Sequence, residues 1–539
     1  MHPALKNAPR TAWRALAALA LGLVLSASPA QATRAAPEAA GAAPHALPPG
    51  IDWFAGSVEE AFVAAQAQHR PVFLYWGAIW CPPCLELKAT LFRRTDFQDR
   101  LKLFIPVYLD GDGAGAQAWG ERFHVTGYPT VLVLDPNQRE LERVSGGMDL
   151  ARYAEVLDLA LGEARTAREL LAADTTGGAL GVADCRQLAY NAWRLDDAWS
   201  RHPENLGELA AALERAARRC PVALQTETAL LQLTALHARL TAEKAALKGG
   251  AAPSAALKAQ LGQLWTLTGD RTHALAAGNL LRDLPAEAFT ALLAQAPERR
   301  AQLQQRWFSL MDALAQDPRY SAADHLDALR GKLVAAKALD PSGKVPAALA
   351  AAVAGGIDAS LAREHEPYAR ASLVNSALNV LDVLGDDDRA YAILAGEVRT
   401  SANPYYYLSD LAELEEKRGH TEQAISDFAK SFETAQGPAT RFQWGVGYVR
   451  ALLRLRGQDE GAVVAAARSV LAELQAAPDL HGRTRRSLAL LETSLRDWNH
   501  GGAHAAALQD LRAQLQGTCA QLPAGDTARP ACEGFLAGS

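Results

Sequence analysis

The sequence predicts an α/β domain with a central mixed sheet, followed by a large all-α region. Two apolar runs, Val72–Ala78 and Thr130–Leu134, are typical of buried strands, and segments with helical spacing lie around them. From about Ala164 onward the strand signals stop, and Ala/Leu-rich helical segments are broken only by Gly, Pro and Asp. The first part of the chain mixes strands with helices and the second contains helices alone, so the sequence predicts two regions of different fold class.

The composition is that of a globular protein with more than one domain. The chain has 539 residues, of which 49% are apolar, and its formal net charge is −6. This length is enough for several cores of ordinary size. The mild acidity, without a basic block or arm, argues against a nucleic-acid partner.

The N-terminal segment has the pattern of a secretory signal. Basic residues precede an apolar run at Ala15–Ala27, which is too short to span a membrane, and small residues follow up to Ala32. We predict a signal peptide over residues 1–32, cleaved after Ala32, and a flexible leader over 33–49. The mature protein is expected to be exported, periplasmic in a Gram-negative source, and not inserted in the membrane.

The elements of the α/β domain, predicted for residues 50–163, follow from caps, apolar runs and turns. Ser57 and Glu60 form a capping box that begins the first helix. Pro136-Asn137 is a turn signal between the last two strands. The predicted order is a helix at 57–69, a strand at 72–78, a helix after Cys84, a strand at 103–109, a short helix at 117–123, strands at 130–134 and 141–144, and a helix from Asp149.

The run Trp80-Cys81-Pro82-Pro83-Cys84 lies between the first predicted strand and the helix that follows it. Two cysteines separated by two residues can form a reversible dithiol/disulfide pair. Cys81 would lie at a helix N-terminus, where the positive end of the helix dipole favours the reactive thiolate. The prolines occupy first-turn positions whose N–H groups lack helical partners, which leaves the Cys84 amide as the donor to that thiolate.

With Gly127-Tyr128-Pro129-Thr130 at the entry to a strand, the segment Ile51–Leu161 resembles a thioredoxin domain of the kind found in exported bacterial proteins. The resemblance implies that Pro129 is cis and that the Tyr128 backbone pairs with a substrate strand beside Cys81. It also implies a surface position for Trp80, where it shapes partner contact. In the implied reaction, Cys81 attacks a partner disulfide and Cys84 resolves the mixed disulfide.

The chain departs from the thioredoxin pattern at the acid that accepts the proton of the second cysteine. Many thioredoxins carry a buried aspartate in the strand before the motif, and this chain has Tyr75 there. One helical turn after Cys84 stands Lys88, which we expect to be a solvated surface lysine, and Glu86 falls on a different helix face. The proton acceptor for Cys84 stays open, as does the choice between reductant, oxidant and isomerase.

We expect no metal and no cofactor. Structural zinc needs four ligands, usually as two close pairs, whereas the chain has one CxxC pair and its nearby histidines, His69 and His124, are isolated.

The four remaining cysteines fit an oxidising compartment. Cys185 and Cys220 flank two helical stretches around a central turn, so an antiparallel hairpin would bring them together. Cys519 and Cys532 are likewise centred on a turn signal. We predict two structural disulfides, Cys185–Cys220 and Cys519–Cys532, with free buried thiols as the alternative.

The helical half is predicted to comprise a hairpin region at 164–250 and an α-solenoid at 251–539. Gly385 and Gly419 are 34 positions apart, each between two helical stretches, and this is the tetratricopeptide period. The region around 371–475 therefore resembles tetratricopeptide repeats. Such arrays present concave faces to partners, and the aromatic residues Tyr405–Tyr407, Trp444 and Tyr448 are candidates to line one, with core packing as the alternative.

The leading hypothesis is an exported thiol-disulfide oxidoreductase that works through Cys81 and Cys84, with the helical half docking partners. Protein thiols and disulfides are the expected partners, and a membrane electron donor is a further candidate. The competing hypothesis is a non-catalytic scaffold, in which the helical repeats bind partners and the α/β domain serves recognition. The missing proton acceptor favours the scaffold, and the intact motif favours the enzyme.

Overall fold

The structure is a computed structural model that describes residues 47, 49–145, 150–162, 165–172, 179–200, 202–476 and 479–538. The signal peptide predicted for residues 1–32 and most of the leader at 33–49 lie outside the described residues. None of the described helices is long and apolar enough to cross a membrane.

A four-stranded mixed sheet forms the centre of the α/β domain. The strands are β1 (Val72–Gly77), β2 (Ile105–Asp110), β3 (Thr130–Leu134) and β4 (Glu140–Ser145), in the spatial order β2-β1-β3-β4. β1 is parallel to β2 and antiparallel to β3, which pairs antiparallel with β4. In this register Tyr75 of β1 lies between Tyr108 of β2 and Val131 of β3.

Five helices surround this sheet within the described residues: α1 (Val58–Gln68), α2 (Pro82–Ala89), α3 (Thr95–Leu101), α4 (Ala116–Arg122) and α5 (Leu150–Gly162). The capping box predicted at Ser57 and Glu60 begins α1, with each side chain bonded to the other residue's backbone N–H. The predicted strands agree with the observed ones to within about two residues. Helix α3 was not predicted, because its seven residues are too short to show a clear period.

The central strand β1 is buried on both faces, which explains its unbroken apolar run. Phe73 and Tyr75 point to the face covered by α2, α3 and α5, where they meet Phe92 and Phe97. Val72, Leu74 and Trp76 belong to the cluster on the other face, with residues of α1 and α4. The cysteine-bearing helix α2 therefore rests on a rigid, fully covered strand.

The regular elements that the structure describes after the sheet domain are helices joined by turns and loops. The helices are α6 (Ala167–Ala172), α7 (Val182–Tyr190), α8 (Asp197–Ser200), α9 (Pro203–Arg219), α10 (Gln225–Lys248), α11 (Ala255–Leu267), α12 (Arg271–Ala276), α13 (Gly278–Leu281), α14 (Ala286–Gln295), α15 (Arg300–Leu314), α16 (Ala322–Leu339), α17 (Ala347–Arg363), α18 (Pro367–Leu384), α19 (Asp387–Thr400), α20 (Pro404–Lys417), α21 (Thr421–Thr434), α22 (Pro438–Arg456), α23 (Glu460–Ala476), α24 (Gly482–Trp498), α25 (Ala505–Cys519) and α26 (Arg529–Gly534). The predicted fold class, an α/β domain followed by a large all-α region, is confirmed.

Two glycines end helices in the way the repeat spacing suggests. Gly385 after α18 and Gly419 after α20 have φ of 70° and 77°, the left-handed conformation that glycine adopts without a steric penalty. Each is followed by a helix that packs back on its predecessor, as α21 does on α20. Gly457 differs, since it keeps a right-handed helical conformation after α22. The regular hairpin geometry is therefore clearest over α18–α21.

The structure joins both cysteine pairs of the helical region. Cys185 in the first turn of α7 is bonded to Cys220 at the end of α9, with Cα atoms 5.7 Å apart. Cys519 at the end of α25 is bonded to Cys532 of α26, with Cα atoms 5.6 Å apart. All four residues lie where two helices meet, so each bond fixes one helix pair.

The sheet edge at β4 is covered by the loop that follows α7. The backbone N–H of Arg143 donates to Asn191 Oδ1 at 3.0 Å, and the backbone carbonyl of Arg143 accepts from the Ala192 N–H at 2.7 Å. A sheet edge with unpaired backbone groups can pair with other chains, and this loop prevents it. The helical region is thus joined to the α/β domain by backbone bonds and by a buried core that continues from the sheet into α7, α9 and α10.

Candidate functional site

The cysteine pair lies where β1 turns into α2, as predicted. Cys81 is the N-cap residue of α2, and it forms a disulfide with Cys84, with Cα atoms 5.2 Å apart. The Cys84 backbone N–H donates to Cys81 Sγ at 3.3 Å, which is the donor expected from the two prolines between them. Cys84 is fully buried and Cys81 is only 3% exposed. The geometry suits a sulfur that carries negative charge at a helix N-terminus.

Tyr128 and Pro129 lie beside this turn, joined by a cis peptide bond as the resemblance implied. The Tyr128 ring lies edge-on to Trp80, with ring centroids 6.2 Å apart. Its hydroxyl accepts a hydrogen bond from Gln117 Nε2 at 3.2 Å. Cys81, Trp80 and Tyr128 line one common cleft. The turn before α2 and the segment before β3 therefore meet at the disulfide.

The interior behind Cys84 differs from what the sequence led us to expect. Tyr75 is buried, and its hydroxyl donates to the Cys84 carbonyl at 3.2 Å. The interpretation of Lys88 as a solvated surface lysine is wrong: its side chain is fully buried, with Nζ 5.2 Å from the centre of the Tyr108 ring. Burial lowers the pKa of Lys88, and the charge of Asp110 opposes this effect.

Asp110 at the end of β2 is an acid that the sequence analysis missed. It accepts a hydrogen bond from the Tyr108 hydroxyl at 3.1 Å and one from the Asp112 N–H at 2.9 Å. Burial raises the pKa of Asp110, and the Asp112 charge is a further cause of the rise, whereas Lys88 lowers it. Tyr75 therefore lies against Cys84, and the buried acid Asp110 lies at the end of the neighbouring strand β2.

Trp80 does not lie on the open surface, contrary to what the resemblance implied. It is partly buried against the helical region, where its ring stacks on Tyr406 of α20 with centroids 5.8 Å apart. The Trp444 ring of α22 meets it edge-on at 5.1 Å. Its indole N–H donates to Thr440 Oγ1 at 2.9 Å. The aromatic residues predicted to line a concave docking face therefore have two different environments. Tyr406 and Trp444 contact Trp80, whereas Tyr405 and Tyr407 are buried among helices.

A polar cluster next to Trp80 joins the two regions, and we call its residues Asp112, Gln117, Thr440 and Arg483 the clasp. Asp112 accepts from the Thr440 N–H at 2.7 Å and from the Thr440 hydroxyl at 2.5 Å. The Arg483 guanidinium forms an ion pair with Asp112 at 3.0 Å. The backbone N–H of Arg483 donates to Gln117 Oε1 at 2.8 Å. Asp112 and Arg483 side chains are each 10% exposed, so solvent screens this pair only weakly.

The Arg483 side chain also covers the aromatic residues of the site. Its guanidinium carbon lies 5.6 Å from the centre of the Trp80 ring and 5.4 Å from that of Tyr128. A guanidinium over aromatic rings at this distance is attracted by their electron-rich faces. One residue of α24 therefore contacts both side chains that flank the disulfide.

Helix α2 makes a second contact with the helical region through Glu86. The Ser372 hydroxyl of α18 donates to Glu86 Oε2 at 2.6 Å. Burial raises the pKa of Glu86 to about 7, with the nearby Asp324 carboxylate adding to the rise, while hydrogen bonds from Ser321 and Ser372 and the charge of Arg282 oppose it. The carboxyl group thus titrates near neutral pH in the folded protein.

We expect the Glu86→Gln variant to be more stable than the wild type at pH 8 and equally stable at pH 4. Because the folded-state pKa of Glu86 is raised from its ordinary value of 4.5 to about 7, the folded protein holds a proton that the unfolded chain releases. The stabilisation of the folded protein by this bound proton is complete below pH 4.5 and is lost as the pH rises through about 7. Glutamine has no proton to lose, so the gain at pH 8 should be about 3 kcal/mol, the free energy that corresponds to a rise of the pKa from 4.5 to about 7.

Urea unfolding at the two pH values measures this difference. Glu59→Gln is the matched control, because it makes the same substitution at an exposed residue in the first turn of α1. An equal gain for Glu86→Gln at both pH values would show that the carboxyl group of Glu86 does not titrate in this range.

Comparison with known proteins agrees with this geometry. Residues 58–161 match the family model described as a thioredoxin-like domain. These residues form a thioredoxin-like domain. The chain is 33% identical over 99 residues to the thiol:disulfide interchange protein DsbD of Yersinia pestis, covering 18% of this chain and 17% of that protein. It is 31% identical over 100 residues to the protein of the same name from Pseudoalteromonas atlantica, with the same coverage. The chain thus spans about a sixth of the length of these relatives.

The residues of the clasp could not be predicted from the sequence. Asp112 follows β2 in a Gly-rich turn, and Thr440 and Arg483 lie more than 300 positions further on, in helices without a distinctive motif. The sequence signal near Asp112 was the Asp110-Gly111-Asp112-Gly113 run, which predicts a turn but no contact with a distant helix. Among the described residues, no group of three or more His, Cys, Asp and Glu side chains is placed to hold a metal ion.

Proposed function

We propose that this protein is an exported thiol-disulfide oxidoreductase that exchanges disulfides through Cys81 and Cys84. The observation that carries the proposal is the Cys81–Cys84 disulfide at the N-terminus of α2, with the Cys84 N–H directed at Cys81 Sγ. The thioredoxin-like match at residues 58–161 and the partial similarity to thiol:disulfide interchange proteins support it.

In the proposed reaction, the Cys81 thiolate attacks one sulfur of a partner disulfide. A mixed disulfide forms and the other partner sulfur leaves as a thiolate. Cys84, after losing its proton, attacks Cys81 Sγ, which re-forms the Cys81–Cys84 disulfide and releases the second partner thiolate. Two electrons pass from the dithiol to the partner, and the reverse sequence oxidises a partner dithiol. We assign substrate contact to Trp80, Tyr128 and Pro129, which lie beside the turn.

Protein thiols and disulfides are the proposed partners, and a membrane electron donor is proposed to regenerate the pair. The predicted signal peptide supports an exported, periplasmic location, and the periplasm is an oxidising compartment in which disulfides form and persist. The reduction potential of the pair decides whether it reduces, oxidises or isomerises its partners.

We propose that the helical region is a tetratricopeptide-like solenoid that holds the cysteine face of the thioredoxin-like domain. The left-handed glycines after α18 and α20 and the successive antiparallel helices support this. Helix α18 packs on α2, and α24 packs on α4, so the array lies along the same side as the cysteines.

The second candidate function is a non-catalytic scaffold. The observation in its favour is that Cys81 is only 3% exposed and lies beneath residues of the helical region. A disulfide held in this way would stabilise the turn without exchanging with partners. The two candidates differ in whether the pair responds to a redox buffer while the protein is folded.

The test is an equilibrium titration of the folded protein in dithiothreitol and glutathione buffers, followed by alkylation and mass spectrometry of the cysteine peptides. We expect Cys81 and Cys84 to change state together in one two-electron transition, whose midpoint gives the potential. Cys185–Cys220 and Cys519–Cys532 serve as internal controls that should stay oxidised. A Cys81–Cys84 disulfide that persists at every potential would reject the enzyme in favour of the scaffold.

A further inference from the structure

The face of the thioredoxin-like domain around Cys81 is covered by helices of the same chain. Trp80, the residue just before Cys81, lies against Tyr406 and Trp444 and donates to Thr440. The Asn403 side chain, just before α20, donates to the carbonyl of Ile79 at 3.3 Å. The cover therefore begins within two residues of the nucleophilic cysteine, on the side where a partner protein would have to approach.

The clasp holds this cover in place through one acidic residue. Asp112 receives three donors from the helical region: the Thr440 N–H, the Thr440 hydroxyl and the Arg483 guanidinium. Charge-assisted hydrogen bonds of this kind are stronger than neutral ones, and this group is mostly shielded from solvent. Beside it, Glu121 of α4 accepts from the Gly482 N–H at 3.0 Å and pairs with Arg485.

What remains open at Cys81 is a cleft of about 530 Å³. Trp76, Trp80 and Tyr128 form its wall on the thioredoxin-like domain, and Gln443, Arg483 and Leu490 belong to its opposite wall on α22 and α24. This volume is in the range of sites that take small molecules or a few residues of peptide. The rigid surface of a folded protein cannot enter a cleft of this size without displacing α22 and α24.

We propose that the helical region restricts the reaction of Cys81 to disulfides carried on short or extended peptide segments, and that the clasp enforces this selection. This inference rests on the proposed oxidoreductase function and names its substrate class. The peptide enters between Tyr128 and α24, and its disulfide reaches Cys81 Sγ along the floor of the cleft. Disulfides held inside folded proteins are rejected while Asp112 keeps Thr440 and Arg483 in place.

The chemistry at the cleft is a two-electron exchange. With glutathione disulfide as the peptide probe, Cys81 forms a mixed disulfide and one glutathione leaves as a thiolate. Cys84 then displaces the second glutathione, so the protein ends as the Cys81–Cys84 disulfide and both glutathione molecules are reduced. The electrons come from the protein dithiol, which is prepared beforehand with dithiothreitol and then freed of it.

The experiment measures the rate at which Cys81 and Cys84 thiols are lost when the reduced full chain is mixed with glutathione disulfide or with insulin, a folded protein disulfide. Asp112→Ala removes the centre of the clasp, and Trp444→Ala independently removes bulk above Trp80. Asp99→Ala is the matched control, because Asp99 is an exposed aspartate of the same domain that pairs with Lys102 across one helical turn. Circular dichroism and the intact Cys185–Cys220 disulfide confirm that each variant is folded.

We expect the wild type to react with glutathione disulfide about 100-fold faster than with insulin. Asp112→Ala and Trp444→Ala should each raise the insulin rate about tenfold, because the covered state becomes less populated. Asp112→Ala should leave the glutathione disulfide rate within about threefold of the wild type, and Asp99→Ala should change neither rate.

Comparable wild-type rates with both probes, or an unchanged ratio in both folded variants, would overturn the restriction by the helical region. Failure of the wild type to react with either probe would instead reject the proposed function. The two failures are therefore distinguishable in one set of measurements.

Discussion

Replacing Cys81 by serine is expected to slow disulfide exchange by at least about 1000-fold, because a serine hydroxyl is not ionised at neutral pH and cannot replace a thiolate nucleophile. Replacing Cys84 should have a different effect. Cys81 would still attack, but the mixed disulfide could not be resolved from within, so the Cys84→Ser protein should accumulate with one glutathione attached. The order of attack follows from exposure: Cys81 lines the cleft, whereas Cys84 is fully buried.

Mass spectrometry of both variants after incubation with glutathione disulfide measures this outcome. The adduct should be found on Cys81 in Cys84→Ser and should be absent from Cys84 in Cys81→Ser. The Cys185–Cys220 and Cys519–Cys532 pairs are the same in both variants, so they cannot account for a difference. An adduct on Cys84 in the Cys81→Ser protein would reverse the assignment of nucleophile and resolving cysteine.

The largest expected loss of stability comes from Arg143→Ala, at about 3–5 kcal/mol. The Arg143 side chain is fully buried, and its guanidinium pairs with Glu140 at 2.8 Å. It also donates to the carbonyls of Phe123 at 2.5 Å and Leu195 at 2.9 Å. Its removal would leave a carboxylate and these carbonyls without their donors in a buried site, at the junction of β4 with the helical region.

Chemical unfolding of Arg143→Ala measures the loss, with two comparisons. Arg139→Ala lies on the same β-hairpin, but Arg139 is 46% exposed, so losing its pair with Asp135 should cost about 0–1 kcal/mol. Arg143→Lys keeps the charge without the planar fork of donors and should fall between the two. A similar small loss for Arg143→Ala and Arg139→Ala would show that the junction at β4 does not depend on this guanidinium.

The elements of the thioredoxin-like domain were predictable because their signals are local. Continuous apolar runs identified β1 and β3, and the capping box at Ser57 identified the start of α1. The strand-to-helix turn placed Cys81 at an N-cap, and the two prolines left the Cys84 amide as the donor to its sulfur. Each of these inferences depends on residues within a few positions of one another.

The environment of the cysteines was not predictable, because it is built by residues far apart in sequence. Lys88 looked like a solvated lysine, since nothing in its helix shows that α18 and the sheet bury it. Trp80 was expected at the surface because the resemblance covers only the thioredoxin-like domain, and the rings that cover it come from α20 and α22. The interaction of Asp110 with the buried Lys88 was overlooked because it depends on strand register, which pairs Asp110 of β2 with Gly77 of β1.

The most direct test of a working redox pair beneath a helical cover is the rate at which the reduced wild-type protein loses its Cys81 and Cys84 thiols to glutathione disulfide. We expect both thiols to disappear together, faster than those of free cysteine, in a folded protein whose other disulfides are unchanged. Loss of neither thiol until the protein is unfolded would contradict a redox role and leave the scaffold as the function of the chain.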